Sequence, residues 1–193
     1  METSWKKYID KTSESKTRPL LVEALQFVKS KGEALDLGSG AQLDSKHLLS
    51  EGFKHVTSID SDKTAEEYAK RIDSRNFSFV RSKFEDFTFP KEHFDVINAQ
   101  FSLSYISPEN FNLVMERIKA SLKTGGIFAG QIFGDYDQSI IPGVRLTYLS
   151  KKQTEDLFSG MEIIKIEEKD VKKKSALGKL KRFHQFHFIT RKK

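Results

Sequence analysis

The run Leu35-Asp36-Leu37-Gly38-Ser39-Gly40 concentrates more potential chemistry than any other part of the chain. Two glycines one residue apart, behind an apolar run and ahead of a helical pattern, let the backbone approach a ligand closely. A complete pyrophosphate fingerprint reads G-x-G-x-x-G. Here the stretch reads GSGAQL, with Leu43 where the third glycine belongs, which argues against a nicotinamide dinucleotide. Asp60 stands 20 residues past Gly40, at the end of VTSID. A carboxylate there can accept two hydrogen bonds from vicinal ribose hydroxyls. GxG and Asp60 together imply an adenosine-bearing ligand. Asp36, just ahead of the GxG, is more discriminating: an acid there suits a cationic group and sits badly beside a pyrophosphate.

These residues need a scaffold that gathers strand ends at one edge. Helical and strand patterns alternate, which implies an α/β fold with a mostly parallel sheet. A short helix is expected over residues 3–11 and an amphipathic one over 19–30, begun at Pro19. Strands are expected at 33–37, 54–60, 77–81, 94–99 and 127–133, with helices at 43–51 and 62–74 between them. Ser107 and Pro108 start a further helix running to about 122, with Thr124-Gly125-Gly126 closing it. Ser150 with Gln153 forms a capping box for a helix through Phe158. Two β-rich runs follow, 161–168 and 183–190, with no helix between, so they should pair as an antiparallel hairpin.

The 193 residues are expected to form a single domain, 37% hydrophobic and 31% charged. No run approaches the roughly 20 apolar residues of a membrane span. METSWKKYID lacks the apolar segment of a signal peptide. The absence of cysteine excludes disulfides, thiolate metal sites and a cysteine nucleophile, and makes a reducing cytoplasm the expected compartment. No His/Asp/Glu cluster has metal-ligand spacing, so no metal is expected. Net charge is +6, but it is unevenly placed. Residues 169–193 hold ten Lys and Arg against Asp170, an excess of +9 that leaves the rest of the chain at −3.

LDLGSG, VTSID, FVRSKFEDFTF, FDVINAQFSLSYI and LKTGGIFAGQIF, in that order, resemble the motifs of class I S-adenosylmethionine-dependent methyltransferases. The resemblance runs from about residue 20 to the C-terminus and looks most like the small tellurite-resistance-type branch. It implies a Rossmann-like, doubly wound, seven-stranded sheet with a reversed terminal strand, order 3-2-1-4-5-7-6. It also implies S-adenosyl-L-methionine as cofactor. By the resemblance, Asp36, Gly38, Ser39 and Gly40 surround the methionine end, and Asp60 holds the ribose with Ser61 beside it. Phe84 contacts adenine. Lys83 stands where the family usually has an acid for the adenine amino group, and Glu85 is the nearest replacement. Asn98, Ala99 and Gln100 end the fourth strand beside the cofactor's amino group. Gln42 replaces another frequent glycine.

Trp5 and Tyr8, on an N-terminal extension (residues 1–18) of the kind that lids such sites, are candidate substrate contacts, as are Tyr105 and Tyr136. Their alternative role is aromatic packing. Tyr105, Asp135 and His47 are the nearest candidates for a general base, and none is assigned. His184 and His187 fall on opposite faces of the last strand and read as packing residues. The basic segment 169–182 is expected to be a loop rimming the site, drawing in an anionic small-molecule acceptor. A nucleic-acid acceptor is the second reading; against it, strand four ends Asn98-Ala99-Gln100-Phe101 and lacks the Asn/Asp-Pro-Pro-aromatic tetrapeptide. A cofactor-binding module without catalysis is the third.

Overall fold

The structure, a computed structural model, describes residues 4–141, 143–176 and 178–193. Its core is one sheet. Strands β1 (Glu33–Leu37), β2 (His55–Asp60), β3 (Phe77–Arg81), β4 (Phe94–Ala99) and β5 (Leu122–Gly134) are parallel. A two-residue β6 (Tyr148–Leu149) and the long β7 (Met161–Lys174) and β8 (Leu180–Lys192) complete it. The order is β3-β2-β1-β4-β5-β8-β7, with β6 pairing only the end of β5. This is the expected order, the two hairpin strands being β7 and β8. β8 runs antiparallel to both β5 and β7. The short β6 was not anticipated, because two residues carry no readable period.

Helices α1 (Ser4–Thr12), α2 (Pro19–Leu25), α3 (Leu43–Ser50), α4 (Lys63–Ala69), α5 (Pro108–Ser121) and α6 (Lys151–Leu157) connect or cover these strands. None is long and apolar enough to cross a membrane among the described residues. The strand positions that face the helices are apolar, as a sheet covered on both faces requires. Leu35, Leu37, Ile97, Phe128 and Phe188 pack with Val114, Met115 and Ile118 of α5 on one side. Ala34, Val56, Val96, Ile127 and Ile189 pack with Leu20, Leu21 and Leu48 on the other. The α6 capping box forms as expected, with Ser150 and Gln153 satisfying each other's backbone N–H.

Three local expectations need correction. The α2 and α4 helices end several residues early, at Leu25 and Ala69. The Thr124-Gly125-Gly126 stretch does not close α5. Leu122 already pairs Phe94, and the next pairs join Val96 to Ile127, so residues 123–126 bulge out of the ladder around Gly125 at φ +79°. Gly126 is confined there, since a Cβ would lie 2.9 Å from the Lys123 carbonyl.

The third correction concerns the basic segment. Residues 169–174 and 180–182 are strand, not loop. β5 pairs β8 only as far as Phe133 with Gln185, so the pairs from Asp170–His184 to Lys174–Leu180 project beyond the sheet as a two-stranded ribbon. Arg182 forms a bidentate ion pair with Asp170 across the two arms, and the Lys173 and Lys181 ammonium groups lie 5.1 Å and 4.4 Å from the centre of the Phe183 ring.

Candidate active site

A cavity of about 550 Å³ opens at the carboxyl ends of β1, β2 and β4. That is the edge where open α/β sheets bind ligands, and the volume falls in the small-molecule range. Its floor is the turn after β1. Gly38 sits at φ +75° and Gly40 at φ +49°, values that L side chains rarely adopt. At Gly38 space is limiting as well, because a Cβ would come within 2.4 Å of the Ser102 Cβ. Ser102 is fixed there by donating its hydroxyl to the Leu37 carbonyl at 2.6 Å.

Gln42 adopts φ +64°, a left-handed conformation that favours glycine. Its buried amide offsets the strain by donating to Ser39 Oγ at 2.7 Å and to the Gly40 and Ala65 carbonyls. The departure from glycine therefore cross-links the loop.

Asp60 closes the turn from the other side. Its Oδ2 accepts from the Gly40 N–H and its Oδ1 from the Asp62 N–H, both at 2.9 Å. Burial raises its pKa, opposed by those backbone donors. Asp36 is 2% exposed and accepts from Ser45 Oγ at 2.6 Å and Asn98 Nδ2 at 2.9 Å. Burial first, and then the nearby Asp44 carboxylate, push its pKa up to about 7. Asp44 accepts from the Arg18 backbone N–H at 3.0 Å and from Asn98. Its pKa is raised mainly by burial. Three acids are thus gathered at one end of the cavity, a potential suited to a cation.

All ten residues assigned to the cofactor by resemblance line this one cavity: Asp36, Gly38, Ser39, Gly40, Asp60, Ser61, Lys83, Phe84, Glu85 and Gln100. Lys83 is solvent-exposed, while Phe84 packs toward Gly38. Trp5, Tyr8 and Tyr105 line it too. Trp5 meets Tyr105 edge-to-face at 5.0 Å and Tyr8 at 6.2 Å, so α1 carries an aromatic wall. Burial raises the Tyr105 phenol pKa well above its ordinary value.

Other candidates fall outside the cavity. His47 lies on α3, with Nε2 3.9 Å from a Glu51 carboxylate oxygen. Asp135 turns toward His184 Nδ1 at 3.4 Å, and the Tyr136 ring stacks on His184 at 5.1 Å. The chain leaving β5 therefore leans first toward β8 and reaches the cavity only at Gly143, Val144 and Arg145. Among the described residues of 169–182 none lines the cavity, so the basic segment as described does not rim it.

Arg18, Asp44, Phe101, Asn110 and Arg145 line the cavity and were missed. Asp44 was the most readable of them, an acid in the first turn of the helix after GxG. Arg18 and Arg145 carry no motif. Phe101 sits at φ +57°, a left-handed conformation costing roughly 1–2 kcal/mol for such a residue. The Arg18 guanidinium lies 5.3 Å from its ring centre.

Residues 35–130 match the family model described as a methyltransferase domain. With the sheet order, this places the chain among the class I S-adenosylmethionine-dependent methyltransferases. Its backbone is similar to that of TehB from Haemophilus influenzae, with a TM-score of 0.78 at 17% identity over 96% of this chain and 66% of that one. It is also similar to the 1,6-didemethyltoxoflavin-N1-methyltransferase of Burkholderia thailandensis, whose structure holds 1,6-didemethyltoxoflavin and S-adenosylhomocysteine. There the TM-score is 0.69 at 20% identity over 94% of this chain and 80% of that one. A tRNA N(3)-cytidine methyltransferase from Gallus gallus is 27% identical over 113 residues. The match spans 49% of this chain and only 30% of that protein's length.

Proposed function

We propose that this protein transfers a methyl group from S-adenosylmethionine to a small-molecule acceptor, by in-line displacement at the sulfonium methyl. The observation carrying this reading is that the acid-rich GxG floor and the Trp5–Tyr8–Tyr105 wall line one cavity, to which no described residue of the basic ribbon contributes. The donor set fits the cofactor. Asp36 and Asp44 suit its ammonium, Arg18 its carboxylate, Asp60 the ribose hydroxyls, and the Phe84 ring the adenine. When bound, S-adenosylmethionine supplies a methyl already made electrophilic by the sulfonium. The protein's own share is to hold the acceptor in line and exclude water, an effect that can lower a barrier by about 7–11 kcal/mol.

Tyr105, with its raised pKa, stays protonated and acts as a hydrogen-bond donor to the acceptor. His47 and Asp135 lie outside the cavity. The reading therefore favours an acceptor that needs no base, one soft or already anionic, with Arg145 to meet its charge. Of the 1–18 extension, residues 4–18 act as a lid-like segment, residues 1–3 lying outside the described residues, and 169–182 act as a basic hairpin on the same domain.

Calorimetric titration with S-adenosylhomocysteine tests the cofactor assignment. Micromolar binding that collapses in Asp60→Ala supports it, and no binding to the wild type overturns it.

A nucleic-acid acceptor is the second reading, favoured by the basic ribbon and by the tRNA methyltransferase similarity. Transfer of labelled methyl from S-adenosylmethionine into RNA, lost when Lys172, Lys173 and Lys174 are reversed in charge, would establish it.

A further inference from the structure

Three buried side-chain amides form a continuous chain beneath the cavity. The Phe101 N–H donates to Gln131 Oε1 at 2.9 Å. Gln131 Nε2 donates to Gln100 Oε1 at 2.7 Å, and Gln100 Nε2 donates to Asn98 Oδ1 at 2.7 Å. Asn98 Nδ2 then donates to Asp36 and, at 3.3 Å, to Asp44. Gln131 is 2% exposed, Asn98 0% and Gln100 9%.

The direction of this chain is forced. A backbone N–H can only donate, so Gln131 must offer its oxygen to Phe101 and therefore its nitrogen to Gln100. The same logic passes along to Asn98, whose nitrogen must face the Asp36 carboxylate. Every donor points toward the acid pair, and aligned hydrogen bonds of this kind polarise one another. At the other end the chain anchors Phe101, held at φ +57° beside the cavity.

We propose that Gln131, which does not line the cavity, is a positioning residue. Through Gln100 and Asn98 it orients the donor that stabilises ionised Asp36, and through the Phe101 N–H it fixes the cavity wall. The link to catalysis rests on the S-adenosylmethionine reading above, whereas the effect on Asp36 does not. The other charged groups acting on Asp36 are Asp44 of α3 and Asp60 of β2, with Arg18 and His47 acting on Asp44.

The test is a carboxyl ¹³C NMR titration of Asp36 in ligand-free wild type and in Gln131→Met, which keeps the volume and removes both hydrogen bonds. With the amide direction released, the Asp36 midpoint should move up by about half a pH unit. S-adenosylhomocysteine affinity at neutral pH should fall about two- to threefold and recover as pH is raised. An Asp36 midpoint unmoved in a folded Gln131→Met protein overturns the proposal, because a merely structural role would lower the melting temperature and leave that titration alone. If Gln131→Met does not fold, Gln100→Met breaks the same chain one link nearer Asp36 and must show the same shift. A shifted midpoint in Gln131→Met together with a wild type that fails to bind S-adenosylhomocysteine leaves the relay standing and overturns the cofactor reading.

Discussion

Asp60 Oδ2 accepts the Gly40 backbone N–H at 2.9 Å, so the end of β2 is tied directly to the glycine turn after β1. One carboxylate thus shapes the loop and faces the cavity. Asp60→Ala removes both functions. S-adenosylhomocysteine affinity should drop at least about tenfold, with about 1–3 kcal/mol of stability lost through the unpaired Gly40 and Asp62 N–H groups. Asp60→Asn keeps one acceptor oxygen and should fall between. Calorimetry and urea unfolding on the same samples separate the two effects, and an Asp60→Ala protein of wild-type affinity would remove Asp60 from the binding site.

Gly38 and Gly143 both have positive φ but differ in surroundings. At Gly38 a Cβ meets Ser102 at 2.4 Å, while at Gly143 nothing lies within 4 Å. Gly38→Ala should therefore cost about 2–4 kcal/mol, combining backbone strain with overpacking. Gly143→Ala should cost only about 1 kcal/mol. Equal losses on denaturant unfolding would show that the Ser102 contact is not limiting.

Asp36 gives a pH signature with a defined sign. Its folded pKa, about 7, lies above the ordinary carboxylate value of 3.8. The folded state therefore holds this proton more tightly, and the associated stability is present below about pH 4 and lost as pH rises through 7. Asp44 and Asp60 are raised in the same sense. In Asp36→Asn the amide can accept from Asn98 and donate to Ser45, so the variant should match the wild type near pH 5 and melt several degrees higher at pH 8. Ligand binding should run the other way, S-adenosylhomocysteine affinity rising as Asp36 ionises. Parallel melting curves at both pH values would rule out Asp36 as the titrating group.

Reversing the charge of Lys172, Lys173 and Lys174 should leave S-adenosylhomocysteine affinity within about twofold of wild type, since Debye screening reduces their reach into the cavity. Retention on a polyanion column should fall clearly. A large, salt-dependent loss of cofactor affinity would instead bring the ribbon back to the rim of the site.

The α/β alternation, the GxG turn, Asp60 and the reversed hairpin were legible in the sequence because they are set locally, by side-chain period, by backbone freedom at glycine, and by strands lacking a helix between them. The ten residues assigned to the cofactor lie along strand ends in chain order, so sheet order alone brings them to one edge. Only tertiary structure decided the rest. Asp135 and Tyr136 follow a strand as a site residue should, but contacts with His184 turn them away. Arg18 and Arg145 reach the cavity from segments with no motif, and Gln131 meets Phe101 thirty residues away. Buried polar partners far apart in the chain leave no period and no spacing to read. They are chosen by which unsatisfied donors and acceptors the packed sheet happens to bring within hydrogen-bond distance.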